Sequence, residues 1–288
     1  MLTRSAQASR HLLVFGLATA GLAAAIIAAY AAVHAQILWF SASVPLDPPP
    51  RWIVVSFIIF LAAIVSSVVG FAFSAIAGAL ILHCVANGVE AVQIMMIASI
   101  GIQAYSVAGL ARSIRWARCV PFVAGGLIAL PLGFALLLNL QPRTYLLAMG
   151  AALVVYGLYM LFRRPALVKS GPRHAADALV GALGGITGPL AAFPGACVTI
   201  WCGMRGWDKV EQRAVYQPYI LVMQLVGVGT LFWLQPGGTF DPALLAYALP
   251  GLGGAILGLR VFHSLTDLQF QRMINLALVA SGIALLFK

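Results

Sequence analysis

Charged side chains are scarce in this chain of 288 residues. Asp, Glu, Lys and Arg together make up 8% of the sequence, whereas soluble domains carry about 25%. Apolar residues make up 62%, and several apolar stretches reach about 20 residues, the length that crosses a hydrocarbon core of roughly 30 Å. The composition therefore excludes a water-soluble protein and predicts a multi-pass protein of the inner (plasma) membrane.

The chain also lacks the motifs of several enzyme classes. It has no Walker A loop, no HExxH motif and no nucleophile–base constellation, so we expect no enzymatic activity. Its four cysteines form no CxxC pair and no Cys/His metal spacing, so neither a metal nor a cofactor is predicted. The net charge of +10 comes mostly from short Lys/Arg clusters between apolar segments, a pattern of cytoplasmic loops rather than of nucleic-acid binding.

Apolar segments follow one another along the whole chain. The first exceeds the core of a signal peptide, which has about 7–15 residues, so it is interpreted as a retained N-terminal helix. The segments cover roughly residues 12–40, 52–86, 90–111, 119–140, 144–162, 176–204, 211–235, 242–262 and 267–287.

The two halves of the chain match each other. A Val-Glu pair precedes a glutamine at the same spacing in both halves, at Glu90 and Gln103 and at Glu211 and Gln224. Stretches 133–162 and 258–287 also align without a gap, which favours an internal duplication. The predicted domains are an N-terminal helix with an external loop (1–51), repeat 1 (52–164), a cytoplasmic linker (165–175) and repeat 2 (176–288).

Basic residues predict the orientation of these segments. Arg and Lys concentrate in the loops at 112–118, 163–173 and 205–213, which we place in the cytoplasm. The loop at 235–241 has no basic residue and is predicted to be external. The cytoplasmic and external positions of these loops are compatible only if segments 52–86 and 176–204 do not cross the membrane once. Each of the two segments must instead be a helical hairpin that returns to the side it entered from.

The centres of both predicted hairpins are rich in residues that interrupt helices. Gly, Pro and Ser concentrate at 66–74 and 184–195, and Gly and Pro weaken or remove helical hydrogen bonds. The predicted fold is therefore an all-α polytopic membrane protein. Two inverted-topology repeats, each a broken helical hairpin plus three transmembrane helices, follow one extra N-terminal helix.

Inverted repeats with broken helices are typical of secondary transporters, whose substrate site lies near the middle of the membrane. Unpaired N–H groups at a helix end suit an anion, although the same Gly and Pro residues could serve tight packing alone. The predicted substrate-binding residues lie at the hairpin centres and on the following helices: Ser66, Gly70, Phe73, Ser74, Gln103, Thr187, Gly188, Phe193, Gly195, Gln217 and Gln224. The glutamines could instead bind a neighbouring helix.

Five charged or titratable side chains are weaker candidates. Arg205 and Arg213 flank the second hairpin and could draw an anion toward it, or simply follow the positive-inside rule. Glu90 and Glu211 could couple transport to protons, or stabilise the helix starts at which they lie. His83 could also titrate near neutral pH, although a lone histidine near a segment end is more often structural.

The second half resembles the TauE/SafE sulfite-exporter family of membrane transporters. The resemblance rests on the run Gly181-Ala-Leu-Gly-Gly-Ile-Thr-Gly-Pro, on Met204-Arg-Gly-Trp and on the stretch from Lys209 to Ala214. In the first half, Gly70-Phe-Ala-Phe-Ser resembles a Gly-Phe-Gly-Phe-type stretch of some members. The resemblance covers about residues 52–287. The sequence departs from the family pattern at Ala72 and at Phe193-Pro-Gly.

The resemblance implies movement of sulfite, sulfonates or related organosulfur anions, often outward. Export is also the simpler direction physically, because a cytoplasm-negative potential drives a monovalent anion outward by about 2.3 kcal/mol per 100 mV. We therefore predict a secondary transporter whose partners are a small anion, the lipid bilayer and possible further copies of the chain. An anion channel of the same architecture and a non-transporting membrane subunit are the alternatives.

Overall fold

A computed structural model describes residues 50–85, 88–139, 174–191, 193–234 and 242–286, together with separate positions between 147 and 161. The predicted N-terminal helix and most of the loops at 165–175 and 235–241 lie outside the described residues. Within the described part of the chain the regular structure is entirely helical, which confirms the all-α prediction.

The helices follow the predicted apolar segments closely. Four of the described helical stretches, at 51–69, 93–110, 116–136 and 242–264, are long and apolar enough to cross a membrane. The elements are α1 (Arg51–Val69), α2 (Phe73–Cys84), α3 (Gly88–Leu110), α4 (Trp116–Asn139), α5 (His174–Ala191), α6 (Gly195–Met204), α7 (Lys209–Leu234), a 3₁₀ turn (Pro242–Tyr247) leading into α8 (Ala248–Ser264), and α9 (Asp267–Leu286).

Both predicted hairpin segments are interrupted within the stretches 66–74 and 184–195, but the Gly- and Pro-rich run from Gly184 to Pro189 lies inside the continuous helix α5. The first break separates α1 from α2 at residues 70–72, and the second lies before α6, at residues 193 and 194. Gly70 has φ +94°, a backbone conformation that residues with a Cβ rarely adopt. At the second break, Pro194 precedes α6 with φ −69°, which is the angle its ring imposes. The inverted orientation of the two repeats remains a prediction.

Small residues bring helices of the two predicted repeats into direct backbone contact. A Cβ on Gly181 or Gly185 of α5 would collide with the backbone of α4, at Phe122 and Gly126. A Cβ on Gly254 of α8 would likewise collide with the backbone of α1. Each predicted repeat therefore packs the first helix of its hairpin against a helix of the other repeat, with small residues at the contact.

Candidate functional site

The first break is held by amide side chains from two other helices. Gln103 of α3 and Gln217 of α7 each donate from Nε2 to the carbonyl oxygen of Gly70, at 3.3 Å. Both glutamines are buried. A Cβ at Gly70 would lie 2.8 Å from Nε2 of Gln217 and 2.6 Å from the hydroxyl oxygen of Tyr216. Glycine is therefore required at this position by the close approach of α7 as well as by its positive φ.

The end of α1 is bound by two more side chains of α7. Arg213 donates from Nη1 to the carbonyl of Ser67, and Tyr216 donates its hydroxyl to the carbonyl of Val69, both at 2.8 Å. The last carbonyls of a helix have no partner within it. Side chains about 146 residues away in the sequence therefore complete the C-terminal end of α1.

The two breaks meet each other through aromatic side chains. The ring centroids of Phe71 and Phe193 are 5.7 Å apart, with the planes tilted by 42°. Both residues are buried. A Cβ at Gly195 would lie 3.2 Å from the Cβ of Phe71, so the start of α6 also approaches the first break. The structure thus brings together the two segments that the sequence singled out.

The second break is held mainly by its own hairpin. The hydroxyl of Thr187 lies within donating distance of two carbonyl oxygens, that of Gly184 in its own helix at 3.2 Å and that of Phe193 across the break at 3.3 Å. Tyr219 of α7 donates to the carbonyl of Gly181 in α5, at 2.7 Å. Gly188 is half-buried and faces Pro194. One helix, α7, therefore contacts both hairpins through tyrosine hydroxyl groups.

The third predicted glutamine joins the two halves. Gln224 of α7 donates from Nε2 to the hydroxyl oxygen of Ser99 in α3, at 2.7 Å, and both side chains are buried. Each predicted glutamine thus binds a neighbouring segment. The Oε1 atoms of Gln103, Gln217 and Gln224 are buried and make no hydrogen bond within the described residues. A substrate contact through these oxygens stays a prediction.

The remaining candidates of the first hairpin are buried around the break. Ser66 donates to the carbonyl of Ala63 within α1, at 3.3 Å. Phe73 is completely enclosed at the start of α2, and Ser74 beside it is buried. These residues shape the surroundings of the break, and Phe73 belongs to the apolar core formed with α1 and α3.

The two candidate arginines lie in different environments. Arg213 is fully buried. Arg205 lies 4.0 Å from a carboxylate oxygen of Asp177 in α5, and its guanidinium is 5.2 Å from the ring centroid of Trp207. Asp177 also accepts a hydrogen bond from the indole of Trp201, at 2.7 Å. Arg205 is thus held in a cluster at the end of α6, whereas Arg213 contacts the end of α1.

The three candidates for proton coupling lie on α7, α3 and α2. Glu211 forms a half-exposed ion pair with Arg118 of α4, at 3.1 Å. Glu90 is half-buried in the first turn of α3. His83 lies on α2, and its side chain is outside the described part of the chain. A coupling role for any of them stays a prediction.

Sequence reasoning missed several partners of the site. Phe262 of α8 packs against the guanidinium of Arg213, with 4.2 Å from Cζ to the ring centroid. Ser99 binds Gln224, and Asp177 binds Trp201. Asp177 could have been singled out from the sequence, because it is a rare acidic residue in the first turn of an apolar segment. A single phenylalanine or serine in an apolar helix could not have been singled out in this way.

The described residues are closely packed around both breaks. A small pocket lies elsewhere in the described chain, between α3 and α7, and none of the break residues lines it. Its walls are Gln93, Met96, Ile97, Val228 and Phe232. No group of three or more His, Cys, Asp or Glu side chains that could hold a metal ion occurs among the described residues.

Comparison with known protein families gives a match over most of the chain. A family model described as Sulfite exporter TauE/SafE matches residues 55–285, which is most of the chain. Neither a curated protein nor a solved structure is significantly similar to it.

Proposed function

This chain belongs to the sulfite exporter TauE/SafE family, whose members are membrane transporters, and from that premise we propose that it exports small sulfur oxyanions or organosulfur anions by alternating access. The chain is accordingly a multi-pass membrane protein, as its apolar helices require. Sulfite and sulfonates are the substrate class that the family description suggests.

The contact between the two broken hairpins carries this proposal. Phe71 of the first break packs against Phe193 of the second, and polar side chains of α3 and α7 surround the first break. In secondary transporters, broken helices at the interface of two repeats form the substrate site. In a bilayer, interrupted backbone is tolerated only inside protein or along a water-filled cavity.

Close packing at the breaks favours a carrier over an open pore. The polar side chains there are buried, so a solute reaches them only if helices move apart. The movement would separate the rings of Phe71 and Phe193, which meet through an apolar contact. A carrier of this kind exposes its site to one side of the membrane at a time.

A liposome flux assay tests the proposal directly. Purified protein is reconstituted, and efflux is measured for sulfite, sulfate, thiosulfate, sulfoacetate and taurine. We expect saturable flux of at least one sulfur oxyanion and faster efflux when the same anion is present on the opposite side. Flux that neither saturates nor shows counter-transport would identify a channel instead. No flux of any of these anions would leave the non-transporting subunit as the better interpretation.

The variant Gln224→Ala tests whether the glutamine of α7 belongs to the site. We expect lower flux with normal membrane expression, because the variant removes an amide whose Oε1 is buried without a hydrogen bond in the described residues. The matched variant Ser99→Ala removes the same hydrogen bond from its other end but leaves the amide in place. Equal loss of flux in both variants would assign Gln224 to helix packing, as would normal flux in Gln224→Ala.

A further inference from the structure

Arg213 is a completely buried cation. It lies one turn inside α7, which begins at Lys209, and a guanidinium stays charged under essentially all conditions. Burying a charge is strongly unfavourable unless other groups compensate it. Each atom of this guanidinium therefore needs a partner to account for its position.

Two contacts fix the guanidinium in place. Nη1 donates to the carbonyl of Ser67, in the last turn of α1, at 2.8 Å, where the helix dipole presents its negative end. The face of the guanidinium packs on Phe262 of α8, with 4.2 Å from Cζ to the ring centroid, a distance typical of a cation–π interaction. Both contacts orient the group and leave one of its edges unused.

The unused edge consists of Nε and Nη2. Both atoms are buried and make no hydrogen bond within the described residues. Their N–H groups point in parallel, and this edge is the fork with which arginine binds two oxygens of one anion. The hydroxyl of Ser67 is also buried without a hydrogen bond in the described chain, so a further donor lies on the residue that positions Arg213.

No carboxylate of the described residues pairs with this edge. The guanidinium of Arg213 forms no ion pair within 4.0 Å there, and most of the described carboxylates have other partners. Asp177 contacts Arg205 and Trp201, Asp208 accepts from the amides of Val210 and Glu211, Glu211 pairs with Arg118, and Asp267 accepts from the amide of Lys209. The positive charge is therefore left for an anion from outside the described chain.

We propose that Arg213 binds the transported oxyanion, with Nε and Nη2 donating to two oxygens on the same sulfur atom. This proposal rests on the proposed function. It names the residue that recognises the substrate and the arrangement of oxygen atoms that this residue selects. An anion with two or more oxygens on one atom fits the fork, whereas a halide offers a single atom. The site adjoins the first break, because Ser67 lies three residues before Gly70.

The variant Arg213→Lys tests this assignment in the liposome assay. Lysine keeps the positive charge and a donor for the Ser67 carbonyl but loses the fork, since an ammonium is a point charge. We expect the KM for sulfite to rise about tenfold or more, which corresponds to about 1.4 kcal/mol. The matched control is Arg118→Lys, whose guanidinium is about one-third exposed and already paired with Glu211. Its KM for sulfite should equal that of the wild type.

The outcomes separate this inference from the proposed function. An unchanged KM in Arg213→Lys, even with a lower thermal midpoint, would make Arg213 a structural anchor of α1 and overturn the inference. Sulfite export by the wild type would then still support the proposed function. If the wild type transports none of the sulfur anions, the proposed function fails and this inference fails with it.

A competition experiment on the wild type keeps the inference testable if Arg213→Lys does not fold. Sulfite flux is measured in the presence of methanesulfonate or of chloride at equal concentration. We expect methanesulfonate to inhibit sulfite flux, and chloride to reach the same inhibition only at a concentration at least about tenfold higher. Methanesulfonate offers separate oxygens to the two parallel N–H groups, whereas chloride offers one atom. Equal inhibition by the two anions would overturn the proposed fork.

Discussion

The two helix breaks are built from similar residues but are held in different ways. At the first break, side chains from α3 and α7 bind the carbonyls of Ser67, Val69 and Gly70. At the second break, the hydroxyl of Thr187 binds within the same hairpin, and Pro194 sets the backbone angle. One break thus depends on distant parts of the chain, and the other is largely self-contained.

The difference arises because most of the polar side chains of α7 in this region face α1 rather than α5. Arg213, Tyr216 and Gln217 are three and four residues apart and therefore share one face of the helix, which lies against the end of α1. Tyr219 points instead toward α5, where its hydroxyl binds the carbonyl of Gly181. A rotation or shift of α7 would break several hydrogen bonds at the first break but few at the second. We therefore expect the first break to be the more sensitive to substitution.

The largest effect is expected from Gly70→Ala. Alanine would have to adopt a positive φ and would place its Cβ 2.6 Å from the hydroxyl of Tyr216. Conformational strain and overpacking together should cost about 2–4 kcal/mol of stability. The thermal midpoint of the purified protein in detergent measures the loss. The matched control is Gly229→Ala in α7, where a Cβ would meet no atom within 4 Å, and its midpoint should be unchanged or slightly higher.

The same substitution at the second break sharpens the comparison. In Gly195→Ala the obstacle is mainly the end of the Ile220 side chain, which can change its rotamer. We expect a smaller fall in midpoint than for Gly70→Ala. Equal falls would mean that the second break is as tightly determined as the first, contrary to the difference described above.

A second pair of variants compares the tyrosines that bind the two hairpins. Tyr216→Phe leaves the carbonyl of Val69 without its hydrogen bond, and that carbonyl ends α1, where no helical partner exists. Tyr219→Phe removes a bond to Gly181, which lies inside α5 and has helical neighbours. We expect costs of about 1–3 kcal/mol for Tyr216→Phe and about 0.5–1.5 kcal/mol for Tyr219→Phe. Thermal midpoints measure both, and the reverse order would contradict the assigned roles.

The positions of the breaks could be predicted from the sequence, because Gly and Pro act locally. Gly70 and Pro194 lie at the breaks because Gly and Pro weaken or remove helical hydrogen bonds, although Pro189 and Pro218 lie inside continuous helices. The apolar segments on either side have lengths set by the bilayer. The family was recognisable for the same reason, since its resemblance rests on such Gly-rich runs in a fixed order. These features need no knowledge of which helices touch.

The partners of the first break could not be predicted in this way. Arg213 stands in the sequence beside Arg205 and Lys209, so it reads as part of a basic loop. In the structure the side chain of Asp208 accepts from the amides of Val210 and Glu211 at the start of α7. Arg213 is therefore already inside the helix and faces α1. Its burial depends on contacts with Ser67 and Phe262 that no local pattern in the sequence specifies.

The smallest effect is expected from Thr187→Val, which removes the hydroxyl that spans the second break. Valine keeps the branched shape, and the hydroxyl is only partly buried, so we expect a loss of about 0.5–1 kcal/mol in stability. The measurement is again the thermal midpoint, with Tyr216→Phe beside it. A loss equal to that of Tyr216→Phe would show that the second break also depends on polar contacts. A fall in sulfite flux much larger than the fall in stability would instead place the Thr187 hydroxyl on the substrate, because packing alone would change both together.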